Sequence, residues 1–248
     1  MRRSERPFCQ LPIPLLAGFF IFFSVQLTFH RFDKDLLQVE YEGLNPALNA
    51  QTYAGLAMGS DQLMSYLLAI RLQLHDNQAG QHFVYEKISY PVLIGWLSQI
   101  SALNPQSEYP MLLASRVYSQ TRDPGQLRQI LEYIEKEFSA NPQMHWRRMA
   151  EASVIARHQL GDLELALRMA ERLADLPASV IMPHWARDLR ILLLAELNQF
   201  ESAIVIIEAM LQSGSVTDRD EQRFLQEKLL KFRQLLFESQ QKAINQTN

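Results

Sequence analysis

Six histidines, one cysteine and 27 acidic residues are the groups of this 248-residue chain that could hold a metal or move a proton. The histidines (His30, His75, His82, His145, His158 and His184) are scattered. His75, Asp76 and His82 share one loop-like stretch and could in principle bind a metal. They lack a further ligand at defined spacing, so solvated or capping roles are the ordinary account of them. Cys9 stands alone, which excludes an intrachain disulfide and any multi-cysteine zinc or iron–sulfur site. Nucleophile elbows, HExxH helices and glycine-rich phosphate loops are missing from the sequence, and only 9 glycines are there to build such loops. Glu132, Glu135 and Glu137 read as a solvated helix face. Trp96, Trp146 and Trp185 read as core or seam residues. No cofactor, no metal and no catalytic residue is expected.

The elements that would position any site are helical, because glycine scarcity argues against sheet-rich folds with many tight turns. A net charge of −3 gives no global field for nucleic acid or an anionic membrane surface. From Pro7 to Phe29 there are 23 residues without a charged side chain, five of them phenylalanines after residue 18. That run predicts a transmembrane anchor over 12–31, with Pro12 and Pro14 at the start, where helical N–H groups lack partners anyway. SVQLTFHRF after Phe23 offers no small-residue cleavage site, and Cys9 precedes the apolar stretch instead of following it, so an uncleaved anchor is expected in place of a signal or lipoprotein peptide. Arg2, Arg3 and Arg6 before the span against Arg31 and Lys34 after it orient the N-terminus (1–11) inside and the remainder outside the cytoplasm, which in a bacterial envelope is the periplasm.

Beyond a juxtamembrane stalk over 32–59, Ser60 and Asp61 cap a helix whose Leu63, Met64, Leu67, Leu68, Ile70 and Leu74 follow helical spacing. Four amphipathic segments then open at Ile88, Gly125, Gly161 and Asn198, at intervals of 36 to 37 residues. Three close on Pro105, Pro142 and Pro177. Between them lie helical patterns over 109–120, 144–160 and 181–197. A helix pair recurring at this period predicts an alpha solenoid over 60–216. Thr217 is the expected N-cap of a final helix over 217–238, which either closes the open end of the stack or pairs two chains into a homodimer. A polar tail is expected over 239–248.

Gly161-Asp162-Leu163, Ala166-Leu167 and Leu176-Pro177 resemble the second helix of a tetratricopeptide repeat, and Asn198-Gln199-Phe200 with Ala203-Ile204 matches the same frame. Gly125, Ile130-Leu131 and Asn141-Pro142 match it less closely. The first helices depart from the pattern near Val154 and Leu193. WLSQISALNPQSEYP also looks like a group of membrane-anchored bacterial proteins with tetratricopeptide-like domains. The resemblance implies that first helices line a concave face. Over 109–120, 143–159 and 181–197 these helices hold six arginines (Arg116, Arg147, Arg148, Arg157, Arg187, Arg190) against three acidic residues, whereas the second helices hold four basic against nine acidic. Guanidinium forks suit bidentate carboxylate recognition, so the six arginines are the candidate groove for an acidic or extended partner segment. The expected function is a noncatalytic inner-membrane scaffold for other envelope proteins, active in envelope or surface-structure assembly. The alternative is an envelope hydrolase or transferase, which needs a polar cleft with convergent titratable groups.

Overall fold

The computed structural model describes residues 13–36, 43–76, 85–177, 179–214 and 216–247. The N-terminal segment 1–11, Cys9 and His82 lie outside them. The described residues form eleven α-helices and no strand, in agreement with the all-α class. They are α1 Ile13–Leu36, α2 Ala50–Leu56, α3 Asp61–Asp76, α4 Tyr90–Leu103, α5 Tyr109–Arg116, α6 Pro124–Ala140, α7 Pro142–Ile155, α8 Leu163–Ala174, α9 His184–Glu196, α10 Phe200–Gln212 and α11 Arg219–Thr247. From α3 onward each helix packs on the next, and α4 with α6 and α5 with α7 also touch across one intervening helix. One core runs from α2 to α9, a second joins α9, α10 and α11, and Leu167 of α8 packs against both.

Helix starts and stops follow from a few residues. Asp123, Asn141 and Asp162 accept backbone N–H bonds from Gln126, Met144 and Leu165 and so cap α6, α7 and α8. Asn104 and Asn141 end α4 and α6 in the same conformation, φ near −142° and −146° with ψ 78° and 76°. Each precedes a proline, whose ring excludes the helical region for the residue before it. Gly161 (φ 70°) and Asn198 (φ 58°), 37 residues apart in the sequence, share the left-handed conformation. Asparagine is among the few side chains that tolerate it.

Several boundaries differ from expectation. Gly125 lies in the first turn of α6 with Asp123 as the cap, so it is no counterpart of Gly161. α8 stops at Ala174, before Pro177, and α9 starts at His184 after Pro183. Tyr118–Gln120 is a 3-10 turn and Ala156–Leu160 a π-type turn, in place of continuous helices to 120 and 160. Asp218 takes the capping role expected of Thr217, accepting from Asp220 and Glu221 N–H, and α11 continues through the expected tail to Thr247. The stalk region is folded from Leu44 on: Tyr53 is buried against Trp96, whose indole donates to Asn45 O at 2.7 Å. The expected anchor is helical from Ile13 within α1, with Phe19, Phe20 and Phe22 exposed. Among the described residues no helix is long and apolar enough to cross a membrane.

Two buried carboxyls set a pH dependence. Asp76 is 8% exposed and accepts from Tyr118 OH at 2.5 Å, and Tyr90 OH in turn donates to Tyr118 O at 2.5 Å. Burial pushes the Asp76 carboxyl up to about 6. Asp188, on α9, is pushed up to about 6 by burial and by the Glu221 charge on α11. A carboxyl whose folded pKa lies above its unfolded one binds its proton better in the fold; its stabilisation is complete below about pH 4 and lost as pH rises through about 6. Glu135 and Glu151 run the other way: despite burial, arginine hydrogen bonds hold them below 4.5, so their contribution falls only at lower pH. Thermal unfolding followed by circular dichroism should therefore give a midpoint several degrees higher at pH 5 than at pH 7.5. Asp188→Asn should raise the pH 7.5 midpoint and shrink the difference.

Candidate functional site

The six arginines come from three helices and one turn, and the structure treats them differently. Arg116 of α5 and Arg148 of α7 converge on Glu151, the latter at 2.7 Å, and Ser115 Oγ donates to the same carboxylate at 3.1 Å. Glu151 is thus a node joining neighbouring helices α5 and α7. Arg157 in the turn after α7 pairs with Glu196 at the end of α9. Arg187 donates to the carbonyls of Leu176, Pro177 and Val180 at 2.8 to 3.1 Å, which holds the irregular chain after α8 against the start of α9. Arg190 buries its Nε without a hydrogen-bond partner and lies in the field of Asp188. Arg147 is exposed, with its guanidinium 5.4 Å from the Trp146 ring centroid.

Helices α6 and α8 are cross-linked the same way. Arg168 and Arg172 of α8 hold Glu135 of α6 at 2.9 and 3.0 Å, and Arg128 of α6 holds Asp162 at 2.5 Å. Unlike charges on helices two apart in the chain order therefore meet, at sequence separations of 33 to 39. Counting charges along the sequence cannot reveal that pairing. What remains presented to solvent from the candidate groove is Arg147 and the outer part of Arg116, whose side chain is 64% exposed.

A depression of about 460 Å³ opens where three turns meet, lined by Gln106, Asn141, Gln143, Met144, Ser179, Val180 and Ile181. Its three side-chain amides, Gln106, Asn141 and Gln143, come from an Asn-Pro-Gln triplet that recurs at 104–106 and 141–143. This triplet is a sequence signal that charge counting overlooks. The lining has amide and hydroxyl donors and acceptors beside apolar side chains and holds no titratable group, so it can hydrogen-bond a peptide backbone but not transfer a proton. Asp76 lies apart from this lining: it is 8% exposed, and one of its carboxylate oxygens accepts from Tyr118 OH. No cluster of His, Cys, Asp or Glu fit to hold a metal occurs among the described residues. Comparison of the chain with protein-family models, with curated proteins and with solved structures returned no match.

The Arg147 and Arg148 pair separates structure from recognition. Arg148 is 7% exposed and tied to Glu151, whereas Arg147 lies on solvent. Arg148→Ala should cost about 2 kcal/mol, because Glu151 loses a charge-assisted partner, and lower Tm on the order of 5 °C. Arg147→Ala should leave Tm within about 1 °C, since exposed positions away from such networks change stability little. Thermal melts of the two variants check both values.

Proposed function

We propose that the chain is a noncatalytic, membrane-anchored scaffold whose tetratricopeptide-like helix pairs form a solenoid and bind other envelope proteins. The observation that carries this reading is the recurrence of two backbone conformations, each at a separation of 37 residues. Asn104 matches Asn141, Gly161 matches Asn198, and every helix from α3 onward packs on its successor. Units of this kind bury their apolar faces only against neighbours and leave extended side surfaces for other chains.

Recognition falls to what the internal ion pairs leave over. Arg147 and the outer part of Arg116 offer guanidinium groups to an acidic segment, while Arg148, Arg157, Arg187 and Arg190 hold the groove in shape. The amides of Gln106 and Gln143 add backbone recognition for an extended segment. The anchor is the span over 12–31; its support is the absence of charge from Pro7 to Phe29 together with the exposed phenylalanines of α1. The resulting location is a bacterial inner membrane, N-terminus inside, with the helical domain in the periplasm.

Two measurements test the reading separately. A reporter active only after export, fused after residue 248, should be active; activity of a cytoplasm-only reporter there instead reverses the topology. A photo-crosslinking amino acid at Arg147 should yield an adduct with another envelope protein in cells. Arg147→Ala should weaken that association about tenfold or more, because a desolvated carboxylate pair is worth roughly 2–5 kcal/mol on truncation. Binding unchanged by this substitution and insensitive to salt would remove the arginine groove from the proposal.

A further inference from the structure

α3 is apolar on two sides. Ser65, Leu68, Ala69 and Leu72 are buried, and α4 is the principal neighbour, with Ser65 Oγ donating to Ile100 O at 3.0 Å. On another side Leu63, Tyr66, Leu67, Ile70 and Leu74 are 50 to 66% exposed. Their spacing of i, i+3, i+4, i+7 and i+11 puts all five within an arc of about 100°. A helix apolar on two sides belongs between two partners, and this one has a single long helical neighbour among the described residues. At the far end of the chain α11 mixes outward Arg223, Glu227, Lys231 and Arg233 with exposed Leu230 and Phe237, whereas the five exposed side chains of the α3 stripe include no charge.

The stripe has the size and the charge of a protein interface. Half or more of five large side chains amounts to on the order of 500 Å² of apolar surface, and exposed Leu56 and Met58 in the segment before α3 bring it towards the roughly 800 Å² per partner of a standard interface. Helices that lie on lipid carry a fringe of Lys and Arg for the headgroups. Along α3 the basic side chain is Arg71, which stacks over the Trp96 ring at 5.5 Å, with Asp61 and Asp76 at the two ends. A neutral stripe of Leu and Ile meets its own copy without like-charge opposition, and a twofold contact requires the same patch on both partners.

We propose that α3 packs against α3 of a second copy of this chain, with Leu67 and Ile70 near the twofold axis. The contact concerns the end of the helix array opposite α11 and stands whether or not the chain is membrane-anchored.

The test uses the full chain with Cys9→Ser, carrying either Leu67→Cys or, on the exposed face of α8, Glu164→Cys. Both are treated in a detergent-free lysate with a short bis-maleimide and run on a denaturing gel. Leu67→Cys should give a species of twice the chain mass and Glu164→Cys should not. Adding Ile70→Glu to Leu67→Cys should reduce that species at least tenfold, with the helical circular dichroism spectrum retained. If the thiol introduced by Leu67→Cys reacts with a water-soluble maleimide as fast as the one introduced by Glu164→Cys, the stripe is open and the proposal fails. If the thiol on α3 is protected yet never joins its counterpart in a second chain, lipid or another protein covers the stripe, and the proposal fails equally.

Discussion

The structure depends on close approach of consecutive helices through small side chains. Ala150, Ala152 and Ala156 from α7 and its following turn, with Ala166 and Ala170 of α8, are all 0% exposed. Side chains of that size let backbones come near enough for Leu165, Met169 and Leu173 to fill the neighbouring gaps. Ser153 Oγ reaches Ala166 O at 2.8 Å only because the helices are that close. A single helix of 12 to 17 residues is marginal in water. Its stability comes from the partner on each side, so stability, curvature and surface shape are properties of neighbours together.

That dependence explains where the arginines go. Apolar packing sets how near two helices come but leaves them free to slide along one another. Pairs such as Arg116 with Glu151, Arg128 with Asp162 and Arg168 with Glu135 connect points 33 to 35 residues apart in sequence and fix the stagger between elements. Exposed pairs of this kind contribute little energy individually, typically about 0–1 kcal/mol. Their effect is on register. Arg148 differs because it is buried beneath Glu151, where losing one partner leaves the other charge poorly solvated.

The period of 36 to 37 residues, the all-α class and the positions of α3, α4, α6 and α10 are legible in the sequence because they rest on local apolar spacing and on turn residues with one mechanical role. Asn198 can be matched to Gly161 since both residues are permitted a left-handed backbone. The end of α8 is not legible, because Pro177 forbids continuation without requiring the helix to last that long, and Arg187 binds the carbonyls that follow. Gly125 misleads for a related reason: beside Asp123-Pro124 the glycine is inside a helix start, a place where its conformational freedom is not used. The candidate groove is legible as a surplus of cations. Its pairing is not, because the partners of Arg116 and Arg157, Glu151 and Glu196, lie 35 and 39 residues further along the chain.

The two ends of the helix array differ in the groups they enclose. At α11, His184 Nδ1 lies 2.8 Å from the Glu221 carboxylate, and Asp188 sits near both, so charged groups are drawn beneath the last helix, whose outer surface carries Arg223, Glu227, Lys231 and Arg233 beside exposed Leu230 and Phe237. At α3 the inner surface is apolar with Ser65 satisfied by Ile100 O, and the outer surface is apolar as well. A terminal element that is polar outside ends growth of the stack; one that is apolar outside invites another helix. The two ends therefore differ in what they enclose: charged groups lie beneath α11, whereas apolar side chains lie on both the inner and the outer side of α3.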